Sequence, residues 1–263
     1  MKKRQGIGIS KILWLLMIMT ISIFLVQVHQ VHAQCQTAGA MDSDCDGLTD
    51  TQETQISQCG AGQATQVACV PGIKDLFVIL VPRTGGLLPA NPLSMLSTAG
   101  QTNLSITVHQ LSANQVVANT VRNVTSTQKA VRILESNVVG SYVGYSQPGT
   151  PNTTVDEAYV YTNKIYATVD LICGTKSPCV DADNEAMTKQ AVKEKYIRHT
   201  IAHESGHMMR LRAGCSTESA CHYPEQSNNI LDWQVAYVNS GSGKKFYLGR
   251  SFTQEDRTNV QLR

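Results

Sequence analysis

The chain has 263 residues, 22 Lys and Arg against 20 Asp and Glu, and a formal charge of +2, so neither the basic excess of a nucleic-acid binder nor the acidic bias of a solvating tail is present. Hydrophobic residues make up 42% and charged residues 16%, a globular rather than a disordered composition. Apart from a cluster at the start, basic residues are scattered, which excludes a stripe for nucleic acid or for an anionic membrane surface.

That opening cluster, Met1-Lys2-Lys3-Arg4 with Lys11, precedes an uncharged apolar run from Ile12 to Val28 and then Val31-His32-Ala33. A positive head, an apolar core and a small residue before the cut describe a secretory signal over residues 1–33, cleaved after Ala33. The run is slightly short of the roughly 20 residues a spanning helix needs. The mature chain is therefore expected outside the cytoplasm, secreted or in a periplasm or cell envelope, without stable membrane insertion. It divides into a cysteine-stapled segment, 34–72, and one domain, 73–263.

All eight cysteines fall in the mature part, and an even count in an exported chain implies disulfides. Cys173 with Cys179 and Cys215 with Cys221 are close enough in sequence to close small loops. Cys35, Cys45, Cys59 and Cys69 would staple the N-terminal segment, with connectivity open. None forms a C-x-x-C pair, which disfavours thiolate zinc ligands. N-x-S/T sequons occur at Asn103, Asn123 and Asn152.

Within the first segment, Asp42 to Glu53 fits D-x-D-x-D-G-x-x-D-x-x-E over its full length. Hard Ca²⁺ takes six to eight oxygens, and Asp42, Asp44, Asp46, Asp50 and Glu53 offer carboxylates while Leu48 offers its carbonyl and Gly47 permits the sharp turn. Neither flank reads as a long amphipathic helix, so a paired, switching EF-hand is not expected. The loop resembles the calcium repeats of thrombospondin type 3, which implies a structural ion whose binding energy appears as stability.

Pro71-Gly72 separates this segment from Lys74–Val81, a near-continuous apolar run that predicts a buried strand. A Gly- and Pro-containing stretch follows to Pro92, then a short helix at 94–97 and a strand at 104–111. Residues 126–135 are expected as a helix capped by Thr125 or Ser126. Strands are expected at 158–161 and 165–172, joined by Thr162-Asn163-Lys164 as a turn. A long helix is expected over about 184–211, opened by Asp181, Asp183 and Glu185 at the positive end of its dipole. Ala191, Ile197, Ile201, Glu204, Met208 and Leu211 recur at helical spacing, which predicts that its inner face packs beneath a sheet.

This helix carries His203-Glu204-Ser205-Gly206-His207, an H-E-x-x-H motif. Residues four apart stack on one helix face, so His203 and His207 converge on one cation with Glu204 beside it. The chemistry implied is hydrolysis in which zinc acidifies a bound water and Glu204 is the general base. His199 extends the run, but residues eight apart on a helix are separated by about 12 Å against a zinc–nitrogen bond of about 2 Å. It is expected to be a polar neighbour.

A catalytic zinc site needs a third protein ligand and one open position. His222 is the choice, held near the helix by the loop that Cys215 and Cys221 would close; Glu225, Glu218 and Asp232 are the alternatives. Tyr223 is a candidate to stabilise an oxyanion.

Strand, helix, strand, an H-E-x-x-H helix, a loop and a last helix is an order that resembles the metzincin metallopeptidases. Lys74-Asp75-Leu76-Phe77-Val78 looks like their first strand and Asn229-Ile230-Leu231-Asp232-Trp233 like the turn under their metal. Thr253-Gln254-Glu255-Asp256 looks like the start of their last helix, with Thr253 as cap. The resemblance spans about 73–263 and implies an α+β fold with a mixed sheet over an active-site helix. The chain departs from the family at three positions. Arg210 stands where that family has Gly, Ala213 where it has its third His, and Leu231 where it has Met.

The sequence thus points to a secreted zinc endopeptidase acting on peptide or protein substrates, with His203, His207 and His222 as ligands and an N-terminal calcium loop. A calcium-dependent surface or adhesion module on a zincin fold that no longer catalyses is the competing expectation.

Overall fold

The computed structural model describes residues 41–44, 49–55, 72–111, 130–137, 142–147, 155–174, 179–181, 186–211, 222, 229–231, 236–240 and 243–260. The expected signal and the stapling cysteines Cys35, Cys45, Cys59, Cys69, Cys215 and Cys221 lie outside these residues. Among the described residues, no helix is long and apolar enough to cross a membrane.

A five-stranded sheet organises the domain, with strands in the order β2-β1-β3-β5-β4. Strand β1 (Lys74–Val81) falls on its predicted run. Its apolar residues are nearly continuous because both faces are covered: Leu76, Phe77, Val78 and Ile79 are all buried. It pairs in parallel with β2 (Ile106–Leu111) on one side and β3 (Ala130–Glu135) on the other. The order then continues in parallel to β5 (Val155–Val160), and β4 (Gly144–Gln147) closes this edge antiparallel to β5.

Several sequence expectations change here. Residues 130–135 form a strand rather than the end of a helix, since Val131 and Ile133 alternate into the core from a slot between β1 and β5. Residues 165–172, expected as a strand after a turn at 162–164, belong instead to one helix, Thr162–Cys173 (α3 below). Ile165, Val169 and Cys173, four apart, are its buried stripe. Leu104, placed in the second strand, ends a π-helical turn, Gly100–Leu104, after which Ser105 at φ 55° redirects the chain into β2.

The helices are, in chain order, α1 (Asp50–Gln55), α2 (Ser94–Ala99), α3 (Thr162–Cys173), α4 (Lys189–Met208) and α5 (Gln254–Asn259). The long helix α4 starts later than expected because Ala186–Met187 is spent on a short strand, β7, and the Thr188 hydroxyl then caps the helix by accepting from Ala191 N at 3.1 Å. No acidic residue lies in its first turn; Asp181 closes strand β6 (Cys179–Asp181), and Asp183 and Glu185 lie outside the described residues.

Ile197, Ile201, Ala202 and Met208 of α4 join Leu76, Val78, Ile106, Ile133, Ala158 and Val160 of the sheet in one core. Burying each large aliphatic side chain stabilises the fold by about 1.5–3 kcal/mol, which fixes α4 against the sheet. A second sheet, β7-β6-β9-β8, adds β8 (Ala236–Ser240) and β9 (Gly243–Tyr247). The expected Cys173–Cys179 disulfide ties the end of α3 to β6. Thr253 caps α5 as expected, in a reciprocal capping box with Asp256. The result is a mixed α/β domain with a helix laid across one face of its main sheet.

Candidate metal centre

The second half of α4 is buried nearly all round: Tyr196, Ile197, His199, Thr200, Ile201, Ala202, Glu204, Ser205, Gly206 and Met208 are all inaccessible. Such a helix has polar groups at positions where water cannot satisfy them, and each therefore needs an internal partner. His203 and His207 are themselves half-buried, and their partners are ring nitrogens. Their Nε2 atoms lie 3.2 Å apart, and His222 Nε2, reached beyond the helix, lies 3.2 Å from each.

Three nitrogens at equal separations form an equilateral triangle, whose centre lies about 1.9 Å from each corner. Zinc–nitrogen bonds of about 2.0–2.1 Å match that radius, so the three residues could hold a zinc ion. A ring of hydrogen bonds is a poorer account of the triangle. His203 Nδ1 lies 2.7 Å from the Ile230 carbonyl, which fixes the proton on Nδ1 and leaves Nε2 as a lone pair aimed at its neighbours. Among the described residues, the group of three or more His, Cys, Asp or Glu whose ligand atoms come together is this one.

Burial also sets the protonation the centre needs. His203 is held well below the ordinary imidazole value, first by burial and then by its three histidine neighbours. His207 is pushed down to about 4 by burial, aided by His222. Both rings are therefore neutral at pH 7, as metal ligands must be.

The turn after the loop supports these rings from below. Ile230 N donates to Ser251 O at 2.9 Å and Leu231 N to Asn229 Oδ1 at 2.6 Å. Asn229 Nδ2 in turn donates to Asp256 Oδ2 at 3.0 Å, the same oxygen that receives Thr253 N and Oγ1. A chain of hydrogen bonds thus runs from the cap of α5 through the turn to His203. Leu231 is fully buried against α4, and a Cβ added at Gly206 would meet its Cδ2 at 2.8 Å. Glycine inside the motif is what lets this apolar floor sit directly beneath the two histidines. The floor is as the sequence suggested, with Leu filling the space.

Two further expectations concern the helix itself. His199 does not join the triangle; its ring centroid is 6.0 Å from that of His203, and Nδ1 lies 3.1 Å from the Gly249 carbonyl. Arg210 adopts φ 62°, the left-handed conformation that ends the helix, with its N–H bonded to His207 O. Glycine takes this conformation freely, whereas another residue bears a cost of about 1 kcal/mol.

Glu204 is buried within the site and its carboxyl is pushed up to about 8 by burial, with a hydrogen bond from the Ser146 side chain working the other way. Its neighbours come from β4, an element the sequence did not reveal. A Cβ added at Gly144 would lie 2.4 Å from Glu204 Oε1 and 2.6 Å from Thr200 Cγ2. Gly144 and Ser146 were missed as site residues because a four-residue strand carries little periodicity; Gly144 alternating with polar residues before β5 was the available signal.

At the N-terminal segment, Asp42 and Glu53 are buried, and Asp50 accepts from Ser43 N at 2.8 Å and Ser43 Oγ at 2.7 Å. Glu53 and Asp50 stand in α1, and both flanks of the loop, 34–40 and 57–65, lie outside the described residues. The described carboxylates of Asp42, Asp44, Asp50 and Glu53 do not gather into a ligand group like that of the histidines. Asp46 and Leu48 lie outside the described residues, as do Glu218, Tyr223, Glu225, Asp232, Asn123 and Asn152. Asn103 is described, and its Oδ1 accepts from Phe252 N at 3.2 Å.

A scan against protein-family models finds no match, and neither does a comparison with curated proteins. Among solved structures, the chain is similar to the GM1-bound form of the ECX AB5 holotoxin at 13% identity, over 72% of this chain and 75% of that one, with a TM-score of 0.35. A likeness this slight defines neither fold family nor function.

Proposed function

We propose that the protein is a zinc-dependent endopeptidase with a metzincin-like catalytic domain. The observation that carries this reading is the triangle of His203, His207 and His222 Nε2 atoms at 3.2 Å, with the buried carboxyl of Glu204 on the same helix turn. A surface helix that merely happened to contain two His and a Glu would have no reason to recruit a third imidazole from beyond its end. The order of elements, from strand β1 to the histidine helix, the 229–231 turn and a capped last helix, supports the family resemblance.

When bound, zinc supplies the positive charge that polarises a peptide carbonyl and acidifies water. The chain's own residues do the rest. His203 and His207 present neutral lone pairs, and the Ile230 carbonyl holds His203 in the tautomer that does so. Glu204 accepts a proton from water and returns one to the leaving amine. Burial pushes its carboxyl up to about 8, and a divalent cation beside it would favour the ionised, basic form. We also propose that the mature protein is exported through residues 1–33 and that residues 42–53 bind a structural calcium ion.

The test is cleavage of casein or a mixed peptide library, with and without a zinc chelator, by wild type and Glu204→Gln. Loss of a general base costs about 10²–10⁴-fold. Equal cleavage by both proteins, or an absence of zinc in purified wild type, would overturn the reading.

A further inference from the structure

His199 is the member of the 199, 203 and 207 run that the metal centre leaves unused. It is buried one helical turn before His203, and residues four apart lie on one helix face, so the two rings meet the same support. They meet it in the same way. His203 Nδ1 donates to the Ile230 carbonyl at 2.7 Å, and His199 Nδ1 donates to the Gly249 carbonyl at 3.1 Å. Both acceptors are backbone oxygens, so each Nδ1 carries the proton.

The two carbonyls belong to adjoining segments. Ser251 bridges in parallel to Asn229, and the Ser251 carbonyl accepts from Ile230 N at 2.9 Å. At Gly249 the two backbones come so close that a Cβ would overlap the Asn229 carbonyl and stand 2.9 Å from Ile230 N, an approach that only glycine permits. Gly249 thus links α4 to the 229–231 turn, with its carbonyl tied to the helix through His199 and its Cα against the turn.

We propose that His199 is a positioning residue for the metal centre: by holding Gly249 it fixes the segment that seats the 229–231 turn, and with it the carbonyl that orients His203. The inference rests on the zinc reading for its effect on affinity, whereas the brace itself is a property of the fold. A ligating imidazole whose second nitrogen meets a firmly held acceptor keeps its orientation and tautomer, and loss of that support costs about 10–100-fold in metal affinity. His199 acts one step further out, through the backbone. A histidine that only satisfied the buried Gly249 carbonyl would stabilise the protein without altering zinc affinity or loosening the turn in particular.

The experiment compares His199→Leu and His199→Asn in the mature, oxidised protein. Asparagine carries its side-chain N–H about where Nδ1 stands, whereas leucine fills the space without a donor. Competition with a chromogenic chelator is expected to show zinc held about tenfold more weakly by His199→Leu, the lower end of that range, and close to wild type by His199→Asn. Hydrogen exchange of the metal-free proteins supplies a readout that needs neither zinc nor activity. The Ile230 amide is expected to lose protection in His199→Leu beyond any loss at Val78 in the central strand β1, and to keep it in His199→Asn. Should the leucine variant not fold, His199→Gln, whose N–H lies nearer the Nε2 position, takes its place with the same expectation. Unchanged zinc affinity in His199→Leu or its substitute overturns the proposal. So does an asparagine variant as weak as leucine, or an Ile230 amide that loses no more protection than Val78. Should wild type bind no zinc, the zinc reading fails instead, and the exchange data still decide whether the brace exists.

Discussion

At the histidine centre three ring nitrogens meet at 3.2 Å, whereas the described carboxylates of the N-terminal segment form no comparable group. The difference follows from charge. Burial keeps His203 and His207 neutral, so their rings can be packed against one another by the fold before any ion arrives. Carboxylates are anions, and two of them about 4 Å apart repel by about 1 kcal/mol in water and about 4 kcal/mol at an effective dielectric of 20. Neutral ligands can be assembled by packing, while anionic ligands are gathered by the cation itself. Asp50 takes hydrogen bonds from Ser43 N and Oγ of its own loop.

The sharpest way to break this comparison is to remove the recruited ligand. His222→Ala should weaken zinc by more than about a hundredfold, while Glu225→Ala should leave it unchanged, as measured by competition with a chromogenic chelator. Retained zinc in His222→Ala would mean that the triangle is not the binding site.

Next in size is the electrostatic cost of burying neutral imidazole. His199 is driven down to about 4 by burial, with its bond to the Gly249 carbonyl opposing the shift. The unfolded chain therefore binds the proton more tightly than the folded one. Stability from this group is present above pH 6.5 and is lost as pH falls from 6.5 to about 4, by up to about 3 kcal/mol. Denaturant midpoints across that range should fall less steeply for His199→Asn than for wild type. Equal slopes would show that the ring is hydrated or protonated in the fold.

Calcium should matter less and elsewhere. At 10 mM, an ion held with the 10⁻⁴–10⁻³ M dissociation constant of extracellular modules adds about 1.5–3 kcal/mol. Calorimetry should show a stabilisation by calcium that Glu53→Gln diminishes and that leaves zinc content untouched. No shift in wild type would remove the calcium assignment and with it one half of the comparison. The smallest effect is at the helix end, where Arg210→Gly should raise stability by up to about 1 kcal/mol by relieving the left-handed backbone, seen as a higher melting temperature.

Much of the site was legible before any coordinates. His203, Glu204 and His207 fall within five consecutive positions of one helix, and backbone geometry alone puts the two imidazoles together. The apolar spacing of Ile197, Ile201 and Met208 already marked its inner face, while the half-buried His203 and His207 stand on the face that the sheet leaves open. Residues 130–135 and 162–173 were misread. AVRILE suits a helix or a strand equally, and the slot between β1 and β5 decided it. Residues 165–172 were expected as a strand after a turn at 162–164, although Ile165, Val169 and Cys173 already marked a helical stripe.

What the sequence by itself determined is therefore local: an H-E-x-x-H motif on a helix, a first strand, a capped last helix, a short disulfide and a pattern of acidic residues. Each is set by interactions spanning a few residues, where helix pitch, strand alternation and capping chemistry leave few choices. Tertiary structure decided that His222 completes the triangle, that Ile230 offers its carbonyl to His203, and that Gly144 leaves the room Glu204 fills. Those meetings join residues 19, 27 and about 60 positions apart. Over such separations no backbone periodicity carries information, and only the packing of the sheet against α4 brings the groups within bonding distance.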